Sequence, residues 1–259
     1  MAPLAASVSQ YMSSPVLTVP ATASLAEVDA RLAAHRVSAL AVVDAQGGAV
    51  GVISRTDLLR AGHLDRAGSS PRQSLRLPEA TVAEVMVRAP STVEEDDPIH
   101  VAAKRMVDER IHRVFVTHGG KLTGVLSTRD IMDAIVDAGV KTPIAELATY
   151  SLIQVQATDP LSLALVRMEK AHKHGLVVVD DGWPVGILSQ VDALAARTAP
   201  PETAVERVMN LSILMLPGSL SVARAAAQAN ALRVRRVLVL GEAGAQGILS
   251  GIDFARAAL

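Results

Sequence analysis

Four serines in this chain are each followed three residues later by an aspartate, inside one recurring phrase. The copies are Gly51-Val-Ile-Ser54-Arg-Thr-Asp57, Gly124-Val-Leu-Ser127-Thr-Arg-Asp130, Gly186-Ile-Leu-Ser189-Gln-Val-Asp192 and Gly247-Ile-Leu-Ser250-Gly-Ile-Asp253. Serine at a helix start offers a hydroxyl and free backbone N–H groups to an anion, and the preceding glycine removes a side chain where backbone must approach something closely. The aspartate lies in the same first turn, where its two oxygens could accept paired sugar hydroxyls as charge-assisted hydrogen bonds. The same Ser-x-x-Asp spacing is also that of a capping box, in which both residues bond to their own turn. Both readings stand, because a repeated fold repeats its caps.

Cations gather ahead of three of the four phrases. The second copy is preceded by Arg110-Ile-His112-Arg113-Val, the third by Lys173-His174-Gly175 and the fourth by Arg233-Val-Arg235-Arg236-Val, where the first has Arg36-Val-Ser38-Ala39-Leu. They are candidates for a phosphate, as is Arg129 within the second phrase; alternatively they sit solvated at a helix C-terminus, where positive charge is favoured. The histidines have no metal-ligand spacing: His172 and His174, two apart, do not share a helix face. The acidic run Glu94 to Asp97 precedes a helix, which negative charge stabilises. Trp183 reads as an exposed hairpin tip. No Walker loop, dinucleotide fingerprint or nucleophile elbow is present.

The elements that position these residues repeat as well. The phrase aspartates are 73, 62 and 61 residues apart, so the unit is about 61 residues with one insertion after Asp57, in the Ser69-Ser70-Pro71 to Pro78 stretch, which reads as a loop. Each unit opens alike, at Val8-x-x-Tyr-Met12, Val82-x-x-Val-Met86, Ile144-x-x-Leu-Ala148 and Val205-x-x-Val-Met209. A short strand follows, then a helix starting near Ser24, Asp97-Pro98, Asp159-Pro160 and Ser219, where caps and first-turn prolines belong. β-rich runs come next, Ala39 to Val43, Val114 to Thr117, Leu176 to Val179 and Val237 to Leu240, each followed by turn residues and a second strand ending in the phrase. The fold class is α/β, four β-α-β-β-α units. Each is too small to be robust alone, so unit one pairs with two and three with four.

This order, with the Met-terminated opening and the Gly-x-x-Ser-x-x-Asp close, resembles the cystathionine β-synthase (CBS) domain. Paired CBS domains form a Bateman module, and the resemblance runs from Val8 to Leu259. It implies two pseudo-symmetric modules: residues 1–139, with CBS repeats 8–61 and 82–138, and residues 140–259, with repeats 144–197 and 205–259. It also implies a regulatory binding module rather than an enzyme, taking AMP, ADP, ATP or a related adenosyl compound in clefts between paired repeats, with no required cofactor. In the family the phrase aspartate holds the ribose, and a threonine near the end of the opening strand lies near the nucleotide; Thr18 and Thr92 match, while Gln154 and Met215 depart. The implied ligand-binding set is Thr18, Ser54, Asp57, Thr92, His112, Arg113, Ser127, Arg129, Asp130, Ser189, Asp192, Arg235, Arg236, Ser250 and Asp253, with the second repeat the fullest. The alternative is an interaction scaffold with degenerate pockets, in which the aspartates only cap helices.

Composition bounds the rest. The 259 residues carry net charge −1, no cysteine, and 50% hydrophobic residues. That is enough for a core, and the absence of cysteine excludes disulfides, thiolate metal sites and a cysteine nucleophile. With one Trp, two Tyr and two Phe there is little to build a base-stacking platform, and near-neutral charge gives no field for nucleic acid. Neither a secretory leader in Met1 to Val8 nor a membrane-length apolar run appears, so a cytoplasmic protein is expected. It would act through a homodimer or a separate effector protein.

Overall fold

A computed structural model describes residues 3–259 apart from 36, 38, 62, 65–74, 151, 172–174, 197–198, 235 and 242–243. The first repeat runs β1 (Thr18–Pro20), α1 (Leu25–Ala34), β2 (Ala39–Val43), β3 (Ala49–Ser54) and α2 (Arg55–Ala61). The insertion is not all loop, because β4 (His63–Leu64) pairs with β5 (Leu75–Arg76). The second repeat comprises α3 (Val82–Val85), β6 (Val87–Arg88), β7 (Thr92–Glu94), α4 (Ile99–Asp108), β8 (Arg113–His118), β9 (Lys121–Ser127) and α5 (Thr128–Asp137). The third has β10 (Gln154–Gln156), α6 (Leu161–Lys170), β11 (Gly175–Asp180), β12 (Trp183–Ser189) and α7 (Gln190–Ala195). The fourth has β13 (Leu214–Pro217), α8 (Val222–Ala231), β14 (Arg236–Gly241), β15 (Gly244–Ser250) and α9 (Gly251–Arg256).

Every repeat builds the same sheet. Its first strand runs parallel to the second, as a helical crossover requires, and the second is antiparallel to the third across a tight turn. The first helix covers one face: in repeat one, Leu25, Val28 and Leu32 pack on Val19, Leu40, Val42 and Ile53, and in repeat three, Leu161, Ala164 and Met168 pack on Val155, Leu176, Val178 and Leu188. Three helix starts differ from expectation. Pro98 and Pro160 occupy the N-cap itself, where extended ψ suits the residue before a helix, and α8 begins after Ser221, whose hydroxyl accepts the Arg224 N–H (3.4 Å), rather than near Ser219.

The chain divides into two compact units, Ala5–Ser127 and Thr128–Leu259, the second also taking in Leu4. α5 lies in the second, packed on α8 and α9. Within each unit the openings are exchanged between repeats. Val8 N–H donates to the Asp97 carbonyl of repeat two (2.9 Å), and Val82 N–H donates to the Ala23 carbonyl of repeat one (2.9 Å). Val222 N–H likewise donates to the Thr142 carbonyl (2.8 Å), and Val205 N–H to the Asp159 carbonyl (3.0 Å). The residue after each opening then adds to its partner's third strand: Ser13 pairs with Val125, Val87 with Val52, Thr149 with Ile248 and Asn210 with Ile187. The paired repeats are therefore stitched by backbone hydrogen bonds as well as by apolar contact.

Candidate functional site

The phrase lies where the last strand of each repeat becomes its last helix, so strand geometry ends at the serine and the aspartate falls one helical turn later. In repeat one, Asp57 Oδ2 accepts from the Ser54 N–H (2.9 Å) and hydroxyl (2.5 Å), and Asp57 N–H donates back to Ser54 Oγ (3.3 Å). Repeat three repeats this, with Asp192 Oδ2 accepting the Ser189 N–H (2.9 Å) and hydroxyl. In repeat four Asp253 Oδ2 accepts the Ser250 N–H (2.7 Å) and hydroxyl (2.8 Å). Capping is thus realised at three turns, and it uses one oxygen of each carboxylate. Asp253 spends the other as well: Oδ1 takes Arg256 Nη1 at 3.1 Å, and the aspartate is 6% exposed. Among the described residues no partner meets Oδ1 of Asp57 or Asp192. Ser127 ends β9 and Asp130 lies in the first turn of α5, the equivalent positions.

What approaches the phrase glycines closely is the exchanged opening. A Cβ on Gly51 would lie 2.6 Å from Met86 Sδ and 2.9 Å from the Val87 carbonyl oxygen. Gly124 meets Met12 and Gly186 meets Met209 in the same way, each at 2.6 Å, whereas the nearest atom to a Cβ on Gly247 is Ala148 Cβ at 3.0 Å. Glycine at a fixed place in all four units, and methionine at a fixed place in three of them, were the signal for this contact.

The cations separate into different roles. Arg113 opens β8 opposite Ser127, and Arg236 opens β14 opposite Ser250. The Arg236 guanidinium crosses to repeat three: its Cζ and Nη2 lie 3.6 Å from the position of a Gly175 Cβ, and Gly175 stands opposite Ser189 in the sheet. Arg129 turns elsewhere, Nη2 donating to the Arg233 carbonyl just past α8 (2.8 Å), while Asn230 Nδ2 donates to the Arg129 carbonyl (3.1 Å) and to Asp133 (2.7 Å). His112 is exposed just before β8, and Arg235 lies outside the described residues. Thr18 and Thr92 start their strands rather than ending them, since the parallel pairing begins there, at Ala41 and Phe115.

The acidic run is spent locally. Asp97 Oδ2 accepts the Glu94 N–H (2.9 Å), Glu94 accepts the Thr117 hydroxyl (2.8 Å), and Glu95 contacts His118 Nδ1 (2.9 Å). Among the described residues no group of three potential ligands could hold a metal ion, and no helix is long and apolar enough to cross a membrane. Trp183 is exposed at the β11–β12 turn.

The family model described as the CBS domain matches residues 8–64, 82–137 and 144–199. The chain belongs to the CBS domain family. Its fourth repeat lies outside those matches and is carried by its phrase, its three-stranded sheet and its exchanged opening. A Methanocaldococcus jannaschii protein suggested to be an archaeal homologue of g-AMPK has the same fold, with TM-score 0.74 and 16% identity over 97% of this chain and 99% of its own. A CBS domain protein of Pyrobaculum aerophilum, solved with AMP, is 32% identical, with 49% of this chain and 90% of that one covered and a TM-score of 0.41. Among curated proteins, homoserine O-acetyltransferase of Methanocorpusculum labreanum is 35% identical over 102 residues, 39% of this chain; the match spans only 20% of that enzyme's length.

Proposed function

We propose that this CBS domain protein is a regulatory module that takes an adenosine nucleotide between paired repeats, without catalysing a reaction. Residues 1–139 and 140–259 form its two Bateman modules, since the exchanged openings couple repeat one to two and three to four. The observation that carries the reading is the division of labour at the phrase carboxylates: one oxygen of Asp57 and of Asp192 caps the helix, and the second is left for a ribose hydroxyl. Capping and ligand contact are therefore compatible at those turns. Serine hydroxyls and the arginines that open β8 and β14 complete the proposed site. A ligand that favours one arrangement of a module shifts its population, and a cytoplasmic effector protein or a second copy reads the change.

The scaffold alternative is favoured by one observation, the closed double use of Asp253. Thermal unfolding of the full chain with AMP, ADP, ATP and S-adenosylmethionine separates the two. Ligand at a hundred times its Kd stabilises the bound form by about 2.7 kcal/mol. Unchanged melting with all four establishes the scaffold. Product analysis after incubation with ATP tests the non-catalytic assignment, which turnover abolished by a substitution in the phrase would overturn.

A further inference from the structure

We propose that the third opening, residues 140–150, is a latch. It leaves repeat four by itself while the other openings stay clasped, so the repeat three–four pair parts first at this seam. The latch needs no nucleotide to open.

Backbone bonds hold the third and fourth openings alike. On repeat four, Val222 and Ala223 N–H donate to the Thr142 and Val140 carbonyls (2.8 and 3.1 Å), and Ile144 and Ala145 N–H donate to the Leu220 and Gly218 carbonyls (2.9 and 3.0 Å). Thr149 and Ile248 then exchange two bonds, at 2.9 and 3.0 Å. On repeat three, Leu161 and Ser162 N–H donate to the Thr203 and Pro201 carbonyls (2.8 and 3.0 Å), and Val205 and Glu206 N–H donate to the Asp159 and Ala157 carbonyls (3.0 and 2.9 Å). Asn210 and Ile187 exchange two bonds, each 2.9 Å. The main chain therefore does not make these seams unequal.

The terminal side chains do. Met12, Met86 and Met209 each lay a sulfur 2.6 Å from the Cβ position of the glycine beneath, and Met86 and Met209 pack against the cores of the repeats that receive them. The third opening ends in Ala148, and the carbons and sulfur that methionine would add over Gly247 are missing. Tyr150 does not replace them. Its Cδ1 lies 3.5 Å from the Gly247 Cβ position, but the residue is 53% exposed. Its hydroxyl donates to the Ala145 carbonyl (2.7 Å), a bond inside the opening that survives release. Hydrophobic attachment follows the apolar area withdrawn from water, so the opening with the shortest terminal side chain is held least.

Release has a defined consequence. The first two N–H groups of α8 lose their carbonyl partners, and the edge of β15 is bared at Ile248. Upstream, Gly139 turns the chain with φ +60° between α5 and the opening, so α5 keeps its packing on α8 while the segment beyond it departs. Moving parts are drawn from such locally weak units.

The test is native-state hydrogen exchange of the full chain without nucleotide, read as amide protection factors. In the unsubstituted protein Thr149 and Ile248 are at least tenfold less protected than Ser13 and Val125, and than Asn210 and Ile187. Ala148→Met raises protection of Thr149 and Ile248 at least tenfold. Met209→Ala, which needs no added space and so decides the matter if methionine at 148 prevents folding, lowers Asn210 and Ile187 at least tenfold while Val178, in the central strand of repeat three, stays within threefold. Equal protection of the three bridges in the unsubstituted protein, no gain in a folded Ala148→Met chain, or a loss in Met209→Ala that is absent at Asn210 and Ile187 or equally large at Val178 overturns the latch. The regulatory reading stands in each of those cases.

Discussion

Met86 and Gly51 come from different repeats and meet in the fold, the methionine Sδ lying 2.6 Å from where a glycine Cβ would stand. The contact is a lock: a long, adaptable side chain fills a space that exists only because the residue below it has none. Adding a methyl group there forces the methionine and the adjoining backbone apart. Gly51→Ala, Gly124→Ala and Gly186→Ala should each destabilise the protein by roughly 1–3 kcal/mol, the usual range for overpacking. Gly247→Ala should cost less, since it meets Ala148 Cβ at 3.0 Å and a carbonyl only at 3.5 Å. Urea unfolding of the four variants gives the order, and an equal or larger loss for Gly247→Ala would remove the lock as its explanation.

Asp253 bonds to Ser250 twice and to Arg256 once, and it is nearly buried. Asp253→Ala should lower stability by about 1–3 kcal/mol, combining a lost cap with unsatisfied donors. Asp192→Ala, at a less buried cap, should lose about 1 kcal/mol. Denaturant midpoints measured without ligand check the pair.

Arg129 and Asn230 hold α5 to α8 reciprocally, one through the carbonyl past α8 and the other through the Arg129 carbonyl. Arg129→Met and Asn230→Ala should each cost on the order of 1 kcal/mol, and the double variant should cost less than their sum because the two bonds share one contact. A double-mutant cycle read by urea unfolding decides it; strict additivity would mean the two act independently.

Glu84 gives a pH dependence. The Thr81 backbone N–H (2.7 Å) and hydroxyl (2.8 Å) both donate to its carboxylate and hold its pKa below the ordinary 4.5. The unfolded chain therefore binds this proton more readily than the folded one, so the cap stabilises α3 at neutral pH and loses its effect as pH falls through the depressed folded value. Stability of Glu84→Gln should fall less steeply with acidification below the ordinary value than that of the unsubstituted protein. Urea midpoints across that range measure the difference.

The repeat, its strand order and its pairing were legible because they depend on local pattern: β-rich runs, turn residues and a phrase at fixed spacing. The capping of Ser54 by Asp57 was one of the two readings that their spacing allowed, and the hydrogen bonds between them realise it. The uses of Arg129 and Arg236 were not. Both sit beside a phrase or ahead of one, but Arg129 turns to the end of α8 and Arg236 crosses to Gly175, and those partners are separated from them along the chain by a whole repeat or more. Asp253 looked like its three counterparts until Arg256, one turn on, was seen to close it. The helix starts at Pro98 and Pro160 moved by one residue because proline suits both the cap and the first turn.

The crossed openings set the smallest portion of this chain that can stand as a folded whole. A lone copy, excised between its own first and last residues, would carry an arm shaped for someone else and leave its glycine floor uncovered. Duplication and shuffling of such a gene must then proceed in twos, and a truncation that severs one arm injures the neighbour it used to clasp.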